Sequence, residues 1–94
     1  MALLDDAEID QRLARVDGWQ RLAEQSIERE CQLADFAAAI AFVNQVAALA
    51  EAANHHPDIL LHGWNKVRLT LSTHSHSGLT DADFKLASEI DRLA

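Results

Sequence analysis

The 94-residue chain has few of the residues that mark several classes of protein: one cysteine, one proline, three glycines, no tyrosine, and eight basic against fifteen acidic side chains. The single cysteine, Cys31, excludes an internal disulfide, so a reducing cytoplasm is the expected compartment and a small core residue its expected role. The net charge of −7 argues against nucleic acid, because neutralising phosphates requires a basic surface. The N-terminus has no apolar run of signal-peptide length, and no stretch approaches the roughly 20 apolar residues of a membrane span. What remains is one small globular domain, residues 1–94.

The first third of the chain predicts a helix followed by a β-hairpin. Asp5 and Glu8 are spaced as an N-terminal capping box, and the helix should end before Gly18. Residues 19–33 then come close to alternating between apolar and polar side chains, with a polar break at 23–26 that suits a turn. The apolar face of the first helix consists of Ile9, Leu13 and Val16.

The longest helical pattern runs from Asp35 to about Ala53 and is apolar on almost every side. After Asp35, its only polar members are Asn44, Gln45 and Glu51. Such a helix is usually buried on almost every side, but one sheet covers only one flank of it. We therefore expect a homo-oligomer, either a dimer or a tetramer, with a second helix against the small side chains of the remaining surface. These are Ala37, Ala38, Ala41, Ala48 and Ala52.

The C-terminal half predicts a second hairpin and a last helix. Pro57 ends the long helix, and residues 59–64 and 66–73 make two strands around the turn at 63–65. Thr80 and Asp83 are spaced to cap the last helix, whose inward residues are Phe84, Ala87, Ile90, Leu93 and Ala94. The order is α-β-β-α-β-β-α, which predicts an α+β two-layer sandwich: a four-stranded antiparallel sheet with its helices packed on one face.

Histidine is concentrated around this second hairpin. His55, His56 and Pro57 precede its first strand, and His74 follows its second. Because antiparallel strands return to where they began, His74 should lie beside His55 and His56. Imidazole, with an unperturbed pKa of about 6.5, both gives and takes a proton near neutral pH. Glu51, one helical turn before His55, and Asp83, in the first turn of the last helix, should be delivered to the same end of the sheet, which we interpret as a proton-transfer site.

The spacing of these residues resembles that of the pterin-4a-carbinolamine dehydratases. The C-terminal half resembles the family closely, and the N-terminal half agrees with it in the order of elements. His62 differs from the residues found in the family at that position, and we leave it outside the site. The matching residues are Glu51, His55, His56, Pro57, Trp64, His74 and Asp83, together with segments 64–67, 69–74, 78–79 and 86–87.

The resemblance implies dehydration of 4a-hydroxytetrahydropterin to quinonoid dihydropterin, which recycles the cofactor of aromatic amino acid hydroxylases. It implies His55 as the principal acid or base, His74 as a second, and His56 mainly as a residue that orients the substrate. Glu51 and Asp83 would hold imidazole tautomers or favour positive charge on the ring. The implied substrate-binding residues are Glu51, Pro57, Asp83 and Trp64; a pterin is the expected partner, with no metal, cofactor, nucleic acid or membrane.

Several of these residues also have an ordinary structural interpretation. The two adjacent histidines suit a helix C-terminus, Asp83 suits a cap, and Trp64 suits a packed hairpin corner. A zinc site is a further possibility, although adjacent histidines tend to point apart. For the whole protein, the alternatives are a dimerising binding module, since family members are also transcriptional cofactors, and pterin handling in molybdenum-cofactor metabolism.

Overall fold

Three helices and a four-stranded antiparallel sheet form the computed structural model, which describes residues 2–23 and 25–93. The predicted α+β class and order of elements are confirmed. The strand order is β1-β2-β4-β3, so each hairpin pairs its own strands and β2 joins β4 in the centre. The elements are α1 (Asp6–Leu13), β1 (Gln20–Leu22), β2 (Ser26–Gln32), α2 (Phe36–Ala53), β3 (Asp58–His62), β4 (Lys66–Leu71) and α3 (Asp81–Asp91), with a 3₁₀ turn at His74–His76 between β4 and α3.

Alternation along β2 and β4 separates a core face of the sheet from a solvent face. The antiparallel register pairs Ile27 with Leu71 and Cys31 with Val67, and all four side chains are buried. Glu28, Glu30, Arg68 and Thr70 point to the other face, whereas Arg29 shares the core face with Ile27 and Cys31 and pairs there with Asp91 of α3. The burial of Cys31 confirms its expected place in the core.

The ends of α2 follow from local chemistry. An Asp35 carboxylate oxygen accepts a hydrogen bond from the Ala38 backbone N–H at 2.7 Å, which caps the first turn. Asn54 ends the helix in the left-handed conformation, with φ of +48°. The inner face of α2 packs on the core, whereas most other positions are exposed; the buried residues are Ala39, Phe42, Val46 and Ala50.

Helix α2 is long enough and apolar enough to cross a membrane, judged by length and composition alone. This corrects the expectation that no stretch of the chain approaches the length of a membrane span. The helix has 18 residues and a mean hydropathy of 1.6. The same test is met by helices that pack in the core of globular proteins, and Phe42 and Val46 of α2 belong to the hydrophobic core here.

Several predicted boundaries differ from the structure. The strand predicted at residues 59–64 is β3, Asp58–His62, so Trp64 lies in the turn after it. Helix α1 ends at Leu13, so Val16 packs against the core from the following turn and not from the helix. Strand β4 ends at Leu71, and Thr73 instead makes an isolated bridge to Gly78. The inward position predicted for Ala94, and Glu24 in the predicted first turn, lie outside the described residues.

A charged cluster connects the C-terminal end of α3 to the rest of the fold. The Asp91 carboxylate accepts hydrogen bonds from the Trp19 indole N–H and from the Asp17 backbone N–H, each at 2.8 Å. It also forms an ion pair with Arg29 of β2. Because Arg29 and Asp91 are both mostly buried, this pair is largely shielded from solvent. It holds α3, β2 and the loop after α1 together.

Candidate active site

The residues at the end of α2, the end of β4 and the start of α3 meet beside the sheet. After the left-handed turn at Asn54, the His55 N–H still donates to the Ala50 carbonyl oxygen at 3.1 Å. This hydrogen bond keeps His55 against the last turn of α2. The next two residues, His56 and Pro57, then connect to β3.

The centre of the arrangement is a buried contact between His55 and Asp83. The His55 Nε2 atom lies 2.6 Å from Asp83 Oδ1. Asp83 is completely buried, and the His55 side chain is 14% exposed. A buried carboxylate needs hydrogen bonds to offset its lost hydration, and one from imidazole to carboxylate is among the stronger ones available. The contact therefore holds the ring in place while leaving part of it open to solvent.

The second oxygen of Asp83 is held from two directions. Oδ2 accepts from the Thr73 hydroxyl at 2.8 Å and from the Thr80 backbone N–H at 2.9 Å. The latter is half of the α3 capping box, as the spacing of Thr80 and Asp83 predicted. Sequence reasoning had not included Thr73 in the site. The sequence does contain an indication for Thr73, because it directly precedes His74 at the end of the second hairpin, close to the start of α3.

Glu51 and His56 form a second pair at the surface. The His56 Nε2 atom contacts a Glu51 carboxylate oxygen, and both side chains are more than half exposed. The structure thus brings both predicted residues to this region, but Glu51 partners His56 and not His55. Solvent screens such a pair, so it orients His56 only loosely.

His74 begins the 3₁₀ turn directly after the end of the sheet and is exposed. Its neighbour Thr73 anchors the turn, because the Thr73 N–H donates to the Gly78 carbonyl oxygen at 2.8 Å. Since Thr73 also contacts Asp83, the turn that carries His74 starts beside the His55–Asp83 pair.

Trp64 is not brought together with these residues within one chain. It occupies the turn between β3 and β4, whereas Asp58, next to Pro57, pairs with Thr70 at the other end of the hairpin. Five strand residues span roughly 16 Å. Trp64 is also 62% exposed, so it is not the packed aromatic of the structural interpretation either. Its membership of the site stays a prediction.

A depression of about 360 Å³ opens next to His55, between the end of α2 and the exposed side of α3. Its volume is in the range that accepts a small bicyclic molecule. Lys85 and Glu89 of α3 line it, and sequence reasoning missed both. The available signal was the spacing of Asp81, Lys85 and Glu89, which places charged residues on one helical face. The full lining is Ala53, His55, Asp81, Ala82, Lys85, Leu86 and Glu89.

A larger depression of about 510 Å³ lies further along α3, between Ala52, Ser88 and Arg92. It shares Ala53, Lys85 and Glu89 with the first depression but does not reach His55. Within residues 2–23 and 25–93, no group of three His, Cys, Asp or Glu side chains is arranged to hold a metal ion.

Comparison with known sequences identifies the family of the chain. The profile of the family described as Pterin 4 alpha carbinolamine dehydratase matches residues 2–93. A protein of Roseiflexus castenholzii, provisionally named a pterin-4-alpha-carbinolamine dehydratase, is 54% identical over 92 residues, covering 98% of this chain and 97% of its own. A protein of Chloroflexus aggregans with the same provisional name is 50% identical over 93 residues, covering 99% and 98%. The chain belongs to the pterin-4a-carbinolamine dehydratase family.

Solved structures give the same result for the fold. A transcriptional coactivator/pterin dehydratase from Brucella melitensis superposes with a TM-score of 0.94 and 35% identity, covering 99% of each chain. A pterin dehydratase-like protein described as a RuBisCO assembly factor in the α-carboxysome has a TM-score of 0.70 and 26% identity, covering 82% of this chain and 89% of its own. Proteins of this fold are thus described in more than one role.

Proposed function

We propose that this protein is a metal-free dehydratase that removes water from 4a-hydroxytetrahydropterin and gives quinonoid dihydropterin. In organisms with aromatic amino acid hydroxylases, this reaction recycles their cofactor. The observation that supports the proposal most directly is the buried His55–Asp83 contact beside a depression large enough for a bicyclic ring. Family membership supplies the substrate class.

The reaction needs two proton transfers and no redox change. The C4a–O bond breaks as an acid protonates the departing hydroxyl, which leaves as water. The N5–H proton goes to a base, and its bonding electrons form the C4a=N5 double bond. Two imidazoles at different positions around the ring are sufficient for both transfers, because an imidazole ring is able both to donate and to accept a proton.

In this proposal, His55 is the principal acid or base and His74 is the second. Asp83 holds the His55 ring and favours positive charge on it as a proton arrives. His56, paired with Glu51, orients the substrate from the solvent side, and Pro57 fixes the backbone between His56 and β3. Trp64 is too distant within one chain, so its contribution requires the hairpin turn of another copy.

The test is a dehydration assay with the purified protein and chemically prepared 4a-hydroxytetrahydropterin, measured above the spontaneous rate. We expect His55→Ala to reduce kcat/KM by roughly 10²- to 10⁴-fold, the usual contribution of acid–base catalysis. His62→Ala is the matched control, since His62 pairs with Glu30 away from the depression and should leave the rate unchanged. A wild-type rate no faster than buffer would refute the dehydratase proposal.

A binding role is the second candidate, because the two structural neighbours are described as a coactivator and an assembly factor, and because α2 leaves an apolar face uncovered. The His55→Ala variant separates the two roles. A dehydratase loses its activity with this change, whereas a module that binds through α2 keeps its binding.

We also propose that copies of the chain associate through this α2 surface, in the cytoplasm. Between Asp35 and Glu51 the helix has no charged side chain, so copies that each carry a net charge of −7 meet there without like charges in contact. Phe36 and Ile40 are 54% and 40% exposed, which is the kind of apolar exposure that association removes.

A further inference from the structure

Asp83 belongs to a buried chain of hydroxyl groups that the proposed chemistry has not used. Thr73 is 5% exposed, and Thr80 and Asp83 are fully buried. The Thr73 and Thr80 hydroxyl oxygens are 2.8 Å apart, and Thr73 Oγ1 is in turn 2.8 Å from Asp83 Oδ2. Buried polar side chains cost stability unless they are hydrogen-bonded, and these three satisfy one another.

The directions of these hydrogen bonds can be assigned by counting protons. A threonine hydroxyl has one proton, and that of Thr73 goes to Asp83. At the contact between the two hydroxyls, Thr80 must therefore be the donor and Thr73 the acceptor. The Thr80 oxygen still accepts from the Ala82 backbone N–H at 3.3 Å. The chain runs in one direction, towards the carboxylate of Asp83.

This direction determines how Asp83 meets His55. Oδ2 accepts two hydrogen bonds, one from the Thr73 hydroxyl and one from the Thr80 backbone N–H, and such an arrangement favours the ionised form of the carboxylate. Oδ1 then acts as an acceptor as well, so the proton in the 2.6 Å contact sits on His55 Nε2. In the neutral ring, Nδ1 is left as the nitrogen that exchanges a proton with a ligand.

We propose that Thr73 is a positioning residue that sets the tautomer and orientation of the His55 ring through Asp83. Its backbone meanwhile closes the turn that carries His74, since the His76 N–H donates to the Thr73 carbonyl oxygen at 3.0 Å and Gly78 pairs with Thr73 across the turn. Thr73 thus connects the support of the His55 ring with the backbone turn that carries His74. The kinetic part of this inference rests on the proposed dehydratase function, whereas the effect on the ring does not.

Three variants test the role of Thr73. Thr73→Val keeps the shape of the side chain and removes the hydroxyl, and Thr73→Ser keeps the hydroxyl. Thr70→Val makes the same change as the first variant on β4, outside the hydroxyl chain. The readouts are the ¹⁵N NMR signals of the His55 ring nitrogens at a pH where the ring is neutral, and the kcat and KM for dehydration.

We expect the wild-type ring to carry its proton on Nε2, and Thr73→Val to shift this population towards Nδ1. We also expect Thr73→Val to lower kcat by roughly 10- to 100-fold, by analogy with the loss of the outer partners that orient metal-bound histidines, with KM little changed. Thr73→Ser should restore most of the rate and the Nε2 tautomer, and Thr70→Val should match the wild type in both readouts.

The result that overturns the inference is a His55 tautomer in Thr73→Val identical to that of the wild type. Should Thr73→Val not fold, the wild-type spectrum decides, because a proton on Nδ1 contradicts the assigned chain. A wild type without dehydratase activity whose His55 ring still responds to Thr73→Val refutes the proposed function and supports the positioning role. If the wild type is active but its His55 ring does not respond to Thr73→Val, the proposed function is supported and the positioning role is refuted.

Discussion

Asp83 makes contacts that suit both of the roles that the sequence left as alternatives. Its Oδ2 atom completes the capping box of α3, and its Oδ1 atom contacts His55. The two roles are compatible because a carboxylate has two oxygens, each able to accept hydrogen bonds. A capping residue buried in the first turn of α3 is therefore also able to orient an imidazole ring.

Asp83→Asn is expected to lower kcat strongly while the protein still folds. The amide keeps one acceptor oxygen for the Thr80 N–H, but its NH₂ group then faces the Nε2–H of His55 and favours the wrong tautomer. The comparable change in a hydrolase triad lowers kcat by about 10⁴-fold, and we expect a loss of up to that size here. We expect about 1–3 kcal/mol of lost stability from the mismatched buried donors, measured by urea unfolding. Asp10→Asn, on the exposed side of α1, is the control; equal kcat in the two variants would contradict the role of Asp83.

Cys31 should be inert in the folded protein. Its burial raises the pKa of the thiol, an effect that outweighs the nearby positive charge of Arg29. The thiolate is the reactive form of cysteine, so very little of it is present at neutral pH. We expect a disulfide reagent to label Cys31 slowly in native protein and rapidly in urea. Equal rates in both conditions would show that the core opens readily around β2.

At the scale of elements, a few polar contacts determine how helices and strands meet. The Arg29–Asp91 pair, with Trp19 and Asp17 on the same carboxylate, joins β2, α3 and the segment before β1. None of these contacts was predicted, because they connect residues 62 to 74 positions apart. Because Arg29 and Asp91 are mostly buried, removing either side chain leaves the charge of the other without a partner.

Asp91→Ala is expected to destabilise the fold by about 2–4 kcal/mol, because it leaves the mostly buried Arg29 guanidinium without its partner. That is a large fraction of the stability of a domain of this size, which is on the order of 5–15 kcal/mol. Thermal or urea unfolding measures the change. Asp10→Ala, an exposed aspartate on α1, should stay within about 0.5 kcal/mol of the wild type. If the two variants are equally stable, the cluster does not hold the elements together.

The solvent face of the sheet carries a network in which Glu30 of β2 contacts His62 of β3 and Arg68 of β4. Partial desolvation acts to raise the pKa of the Glu30 carboxyl, but the hydrogen bonds from Arg68 and His62 outweigh it and leave the pKa lowered from 4.5. A lowered pKa in the folded state contributes stability above the unfolded value, and this contribution is lost as the pH falls through the folded value.

Glu30→Gln should therefore be less stable than the wild type at pH 6, and the difference should disappear well below pH 4.5. Because the carboxylate is 40% exposed and screened by solvent, the difference at pH 6 should be about 0.5 kcal/mol or less. Urea unfolding at both pH values measures it. A difference that persists at low pH would point to lost packing and not to lost charge.

For the whole molecule, the uncovered face of α2 is the feature that a single chain does not explain. Only four of its 18 residues are buried, although the sequence reads as apolar on nearly every side. The sheet covers one flank, as expected, and in the proposed association a second copy of the chain covers the other. Association would also allow the Trp64 turn of one copy to approach the site of another.

We expect light scattering to give two or four times the chain mass of 10.4 kDa. Ala48→Glu, on the exposed side of α2, should dissociate the assembly, because a charge buried between copies has no partner there. Gln20→Glu adds the same charge on β1 and should leave the mass unchanged. A wild-type mass of one chain would refute the proposed association.

The sequence by itself determined the order of elements and most of their boundaries. Capping boxes, alternation along strands and the break at Pro57 depend only on residues within a few positions of one another, so they can be read without the fold. Antiparallel pairing extends this to the two ends of one hairpin, which is why the sequence alone places His55 and His56 near the start of the turn that carries His74.

Only the tertiary structure decided which side chains meet within that region. Whether His55 faces Asp83 or Glu51 depends on the angle at which α2 ends and on the packing of α3, to which residues far apart in the chain contribute. Burial of Thr73 and Thr80 is likewise a product of that packing. Helix α2 shows the same limit. Its apolar pattern predicts that its surface is buried, but the pattern does not identify the element or the chain that packs against it.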